Sequence, residues 1–105
     1  MDINDWKDRI AAFVDECGLS QDPFMRVMCS VEEMGELAKE ALKSVDYGRR
    51  NFKASPDFQT ELGDVLFDLL CVAAFAGVDP DAALNATMRK MAQRIKDKGH
   101  PGSRT

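Results

Sequence analysis

The sequence predicts an all-α protein, an antiparallel four-helix bundle, and three observations support this fold class. Four segments each begin with a polar capping residue, and in three of them the cap stands directly before a proline. Three of the four segments end at or just before a glycine, which terminates helices by adopting a left-handed conformation. No stretch alternates polar and apolar residues over a length that would indicate a strand.

The first two helices are predicted from their ends. Asn4 is the expected cap of a helix that runs to about Cys17, where Gly18 stops it. Asp22-Pro23 opens a second helix, which we expect to continue to about Val45.

The last two helices repeat the same signal. Ser55-Pro56 opens a third helix that ends at Gly77, and Asp79-Pro80 opens a fourth that ends near Lys98. A basic loop over 46–54 separates the second and third helices. Because the connections are short, neighbouring helices should be antiparallel. We expect one helical domain over 1–99 and a flexible tail over 100–105.

Composition excludes several functional classes. The 105 residues carry a net charge of −4, whereas binding to nucleic-acid polymers or anionic membranes requires excess Lys and Arg. The longest apolar run, 65–78, is too short to span a bilayer and contains Asp68. The three cysteines are odd in number and lack CxxC spacing, and the N-terminus has no targeting pattern. These features predict a reduced, cytoplasmic protein with Cys17, Cys29 and Cys71 in its core.

An acidic pattern occurs twice. Acids recur at the first, fourth and eighth positions of a segment in the second and third helices, namely Glu33, Glu36, Glu40 and Glu61, Asp64, Asp68. This spacing places each set on one helix face. A glycine, Gly35 or Gly63, stands just before the second acid of each set, which suggests close helix approach or room for a ligand.

The acids have two interpretations. On the second helix alone, a solvated polar face explains them equally well. The third helix is apolar nearly all round over 65–76, which predicts burial, and no Lys or Arg lies within 61–76. Buried carboxylates need a compensating cation, and a hard divalent ion fits an all-oxygen donor set. The single histidine, His100, lies in the tail, so the set favours Mg²⁺ or Mn²⁺ over zinc or di-iron. Mg²⁺ in turn suggests a phosphate-bearing substrate.

The acidic motifs resemble a known signature. Glu32-Glu33-x-x-Glu36, followed by Glu61-x-x-Asp64, is similar to the EExxE…ExxD motif of the MazG-like all-α nucleotide pyrophosphohydrolases, which are related to the dimeric dUTPases. The resemblance covers roughly residues 23–94. It implies hydrolysis of (deoxy)nucleoside triphosphates to nucleoside monophosphate and pyrophosphate, in nucleotide-pool house-cleaning.

The resemblance also implies roles for individual residues. Glu33, Glu36, Glu61 and Asp64 would bind Mg²⁺, for which Mn²⁺ can substitute, and Glu32 matches the family acid that activates the attacking water. Asp68 and Glu40 extend the acidic stripe and are expected to support these ligands from outside.

Four further residues are candidates for binding substrate. Lys90 and Arg94 match basic residues that contact phosphates in relatives, although solvated cations in a last helical turn are an equal alternative. Lys39 could reach phosphates or pair with surface acids. Trp6 could stack on a base, with core packing as the alternative. Where many relatives carry Asn, this chain has Met88 or Met91.

Apolar surface on the third helix predicts assembly, because a four-helix monomer could not cover it. The resemblance implies a homo-oligomer, and we favour a tetramer built as a dimer of dimers over a dimer. A second function class stays open, namely a non-catalytic helical module that binds nucleotide or a partner through the same acidic groove.

Overall fold

The computed structural model describes residues 1–102, so 103–105, the end of the predicted tail, lie outside the described residues. The helices are α1 (Ile3–Glu16), α2 (Pro23–Ser44), α3 (Pro56–Ala76) and α4 (Pro80–Lys98), with a short 3-10 turn over Asp46–Gly48. No strand forms within 1–102, which confirms the all-α prediction. Over the same span, no helix combines the length and the apolar character that crossing a membrane requires.

Three helices begin where their capping chemistry predicted. The side chains of Asp22, Ser55 and Asp79 each accept a hydrogen bond from a backbone N–H in the first turn, and proline follows each cap. α3 and α4 end at Gly77 and Gly99, both of which have the left-handed backbone that stops a helix.

The start of α1 corrects the prediction. Its cap is Asp2 and not Asn4, because Asp2 accepts from the Asp5 N–H at 2.8 Å while the Asp5 carboxylate accepts from the Asp2 N–H at 3.1 Å. This reciprocal capping box satisfies two free donors at once. Asn4 instead donates its side-chain N–H to Asp79 Oδ1 at 3.1 Å, which links α1 to the start of α4.

The apolar core is small and lies between α1 and α3. Ile10, Val14 and Cys71 are buried together, and Phe67 packs against them. The Phe67 ring meets Phe13 edge-on, with centroids 6.2 Å apart. The cysteine prediction was correct for Cys71, which is fully buried, and wrong for Cys17, which is exposed at the end of α1, while Cys29 is partly buried.

The helix α2 packs along α3 and turns a largely polar face toward it. We call five residues on that face the polar row: Arg26, Ser30, Glu33, Glu40 and Ser44. Four of them are buried and Glu33 is partly buried, and their spacing of three, four or seven residues keeps them on one side of α2.

The opposite side of α2 is apolar and open to solvent. We call its exposed residues the outer face of α2: Phe24, Val27, Met28, Val31, Met34 and Leu42. The helix α4 packs mainly on α1. The radius of gyration is therefore 16.5 Å, against about 13 Å for a compact domain of 100 residues. A single chain leaves much of its apolar surface uncovered.

Candidate metal centre

Three carboxylates from two helices converge beside the polar row. One oxygen each from Glu33 on α2 and from Glu61 and Asp64 on α3 lies within 4.8 Å of the other two. We call these residues the carboxylate cluster. The cap at Ser55 fixes where α3 begins and therefore which turn carries Glu61. The three-residue spacing of Glu61 and Asp64 then puts both on the side that faces α2.

The environment of the cluster fits a divalent cation. Glu61 Oε2 is shielded from solvent and has no hydrogen-bond partner among residues 1–102. Partial burial, followed by the charges of Asp64 and Glu61, raises the pKa of Glu33. An unpaired buried oxygen and mutually repelling carboxylates both call for a positive charge. Because all three donors are oxygens, they suit a hard ion such as Mg²⁺.

The other predicted acids lie around this cluster. Glu36 and Glu32 are exposed on α2, and Glu36 is outside the group of oxygens that converge. Glu40 is buried in the polar row, where its carboxylate lies 3.2 Å from Lys43 Nζ. The structure thus brings together three of the four predicted metal ligands and leaves Glu36 one turn away from them.

Asp68 has a cation as its partner. Its carboxylate lies 3.4 Å from Arg26 Nη1, and both side chains are buried. Burial raises the pKa of Asp68, the neighbouring Arg26 opposes that rise, and the charge of Asp64 adds to it. The absence of Lys and Arg within 61–76 predicted that Asp68 has no cation as its partner, and the structure shows that Arg26 of α2 is that partner. The signal was present, because Arg26 precedes Glu33 by seven residues and so shares its helix face.

The predicted substrate-binding residues lie away from the cluster. Trp6 lines an apolar groove of about 530 Å³ between α1 and α3, and the Arg9 guanidinium lies 5.0 Å from its ring centroid. Leu66 and Leu70, which line that groove from α3, lie on the side of the helix that faces away from Glu61 and Asp64.

Cations of α2 and α4 complete the predicted set. Lys39 and Lys90 are exposed, and Arg94 donates to the carbonyl of Pro101 at 3.2 Å. Because α4 packs mainly on α1, Lys90 and Arg94 lie on a helix that does not form the walls of the cluster.

The structure decides against one of the two explanations given for the motif glycines, close helix approach. A Cβ at Gly35 or Gly63 would meet no atom within 4 Å among the described residues. Close packing of helices within one chain therefore does not explain them. Both positions leave open space at the surface of a single chain.

Comparisons with known proteins agree with these observations. A family model described as the MazG nucleotide pyrophosphohydrolase domain matches residues 23–98. The uncharacterized protein YpjD of Bacillus subtilis (strain 168) is 39% identical over an alignment of 70 residues, and the alignment covers 64% of this chain. The chain spans 61% of the length of that relative. No solved structure matches the chain.

Proposed function

Because the chain belongs to the MazG nucleotide pyrophosphohydrolase domain family, we propose that it hydrolyses (deoxy)nucleoside triphosphates to nucleoside monophosphate and pyrophosphate in a Mg²⁺-dependent reaction. The observation that supports this most directly is the carboxylate cluster, whose three oxygens lie within 4.8 Å of one another beside an unpartnered oxygen of Glu61. Members of this family generally depend on a divalent metal. Mn²⁺ is expected to substitute for Mg²⁺, because both ions prefer oxygen ligands.

The residues of the chain divide the work. Glu33, Glu61 and Asp64 hold the cation, and Glu36 joins them from the next turn of α2. A bound Mg²⁺ would supply positive charge to the phosphate oxygens and acidify a water. Glu32, exposed on the neighbouring row of α2, accepts the proton that the attacking water loses. Lys39 binds phosphates from the chain that holds the cation. Lys90, Arg94 and Trp6 lie away from the cluster of their own chain and would bind phosphates and base in a neighbouring subunit.

Assembly is part of the proposal. The outer face of α2 and a stripe on α4 formed by Leu84, Met88, Met91 and Ile95 are exposed in one chain. Apolar surface of this extent requires a cover, and a second copy supplies a matching one. A homo-oligomer, with a tetramer of two dimers favoured over a dimer, buries both stripes. It also gives the cations of α4 a route to the cluster of a neighbouring subunit.

The biological setting follows from the reaction. An enzyme that converts unwanted triphosphates to monophosphates removes them from the pool available to polymerases, which is a house-cleaning role. We place it in the cytoplasm, because Cys17, Cys29 and Cys71 are all free.

A direct assay tests the reaction. Purified protein is incubated with each ribo- and deoxyribonucleoside triphosphate and Mg²⁺, and pyrophosphate and phosphate are measured separately. Asp64→Asn and Glu36→Gln should each lower the rate of pyrophosphate release about a hundredfold or more, because each removes a ligand charge. Glu16→Gln, which neutralises an exposed acid at the end of α1, should retain the wild-type rate.

Each other outcome has a definite meaning. Undiminished pyrophosphate release in Asp64→Asn refutes the proposed site. Release of single phosphates in place of pyrophosphate refutes the reaction type. Tight binding of nucleotide without any release identifies the non-catalytic binding module, which would use the same acidic groove.

A further inference from the structure

The residue Asp68 is placed where a further metal ligand would be expected. It follows Asp64 by four residues on the same face of α3, which corresponds to about 6 Å along the helix axis. Its charge contributes to raising the pKa of Glu33, so it lies within electrostatic range of the carboxylate cluster. By spacing and charge alone, a cation in the cluster could recruit it.

The contacts of Asp68 point in another direction. Arg26 Nη1 lies 3.4 Å from Asp68 Oδ1, and the side chains retain only 10% and 8% of their accessible surface. A desolvated carboxylate that already faces a guanidinium gains little by turning toward a second cation.

Arg26 is itself held in place on several sides. Its Nε donates to the carbonyl of Ser20 at 2.9 Å, in the segment before α2. Its guanidinium lies 5.9 Å from the ring centroid of Phe67, which extends from α3. These contacts engage Nε and Nη1 and tie the buried side chain of Arg26 to α3 and to the segment before α2.

We propose that Arg26 is a positioning residue that holds Asp68 out of the metal coordination. The chain thus supplies its own fixed cation at one end of the polar row. The divalent ion is then bound by Glu33, Glu61 and Asp64. This inference rests on the proposed metal site, and it limits the number of carboxylates that bind the cation there. The pair sets how much negative charge the site presents, and therefore how strongly it binds a cation.

The proposal predicts that removing the charge of Asp68 and removing the charge of Arg26 change the affinity for a divalent cation in opposite directions. Asp68→Asn leaves the charge of Arg26 unopposed near the cluster and should weaken binding of a divalent cation about tenfold. Arg26→Gln releases the carboxylate of Asp68 and should tighten binding about tenfold or add a second equivalent of cation. A pair that only joined α2 to α3 would change cation affinity in the same direction in both variants, through lost structure.

A swapped pair guards against the failure of single variants to fold. Arg26→Glu with Asp68→Arg keeps a buried ion pair and the total charge. In the swapped variant the cationic residue stands on α3, about 6 Å from Asp64 along the helix axis. In the wild type it stands on α2, about 10 Å from Glu33 along that helix. Cation binding should therefore weaken several-fold in a protein that keeps its helical circular dichroism.

The measurement is binding of Mn²⁺ to the full chain without nucleotide, followed by the electron paramagnetic resonance signal of free Mn²⁺. Thermal unfolding of the metal-free variants confirms that each is folded. Opposite shifts for Asp68→Asn and Arg26→Gln, together with weakened binding in the swapped variant, support the proposal. Where a single variant does not fold, the swapped variant alone decides. Unchanged binding in the swapped variant, or shifts of the same sign in two folded single variants, overturns it.

The proposed metal site and this inference fail in different ways. Absence of Mn²⁺ binding by the wild-type chain refutes both. Wild-type binding through the cluster, with no response to changes at Arg26 or Asp68, refutes the inference alone.

Discussion

At the scale of single residues, Glu61 shows how the fold makes the binding of a cation favourable. One of its carboxylate oxygens lies out of reach of solvent and of every hydrogen-bond donor in residues 1–102. Asp64 and Glu33 add negative charge within 4.8 Å. Such an arrangement costs free energy when the site holds no cation, because buried charge is neither solvated nor paired. The cluster should therefore couple the stability of the chain to the ion.

A stability measurement checks this coupling. Mg²⁺ at about 100 times its dissociation constant should raise the free energy of unfolding by about 2.7 kcal/mol, since the ion binds the folded chain only. Asp64→Asn should lose most of that gain and Glu16→Gln should keep it, as followed by urea unfolding with and without Mg²⁺. An equal gain in both variants would mean that Mg²⁺ acts elsewhere on the protein.

Residue chemistry also marks what the sequence could reveal about the site. The spacing of the acids on α2 and α3 placed each set of three on one helix face, because helix geometry relates spacing to facing side. The resemblance to the family signature then named four ligands, of which Glu33, Glu61 and Asp64 meet. Arg26 shares a helix face with Glu33, but its pairing with Asp68, 42 positions later in the chain, was missed. Contacts at such separation depend on how two helices slide against each other, and local pattern does not encode that register.

At the scale of elements, helix starts were predictable where the chemistry is local. A capping side chain followed by proline fixes the first turn of α2, α3 and α4 without help from distant residues. The turn after α2 was predicted only as a loop. Gly48 signals a turn there, but Asp46 and Tyr47 also adopt left-handed backbones without being glycine, so the residue types did not indicate how the turn is built.

The cap of α4 gives a prediction with a defined pH dependence. The backbone N–H of Ala82, and then the side chain of Asn4, lower the pKa of Asp79. A carboxylate whose pKa falls on folding stabilises the fold above its unfolded pKa, and the stabilisation is lost as pH falls through the folded value. Asp79→Ala should therefore unfold several degrees below wild type at neutral pH. The difference should shrink below about pH 3.9, the ordinary pKa of Asp.

A neighbouring acid provides the matched comparison. Asp81→Ala removes a charge from the same first turn of α4 but leaves the cap intact. Thermal unfolding followed by circular dichroism from neutral to acidic pH should show the smaller effect for this variant. Equal effects in both variants, or a difference for Asp79→Ala that persists unchanged in acid, would contradict the role assigned to the cap.

At the scale of the whole molecule, the single chain exposes apolar surface on α2 and α4 as well as on the third helix, where the sequence predicted it. The apolar residues of α2 lie on its outer face, and a stripe on α4 is equally exposed. A sequence pattern identifies two faces of an amphipathic helix, but it does not say whether the apolar one meets the same chain or another copy. The extended shape of the single chain favours another copy.

Disrupting one stripe should change the assembly. Met88→Glu places a charge in the apolar stripe of α4 and should shift the protein to a smaller species, as measured by analytical ultracentrifugation. Ala86→Glu adds the same charge to the same helix on its opposite side, where the residue is also exposed, and should leave the mass unchanged. A wild-type protein that sediments as a monomer would refute the assembly outright.

The orientation of α2 has a thermodynamic consequence. In the proposed assembly, α2 would present its inner side to the cation and its outer side to the adjoining subunit, so a shift of α2 would change both contacts. If binding of the cation restrains the position of α2, it must also strengthen the association of subunits. By reciprocity, subunit association must then raise the affinity for the cation by the same factor. Depletion of the metal would then loosen the quaternary structure, and dilution of the protein would release metal.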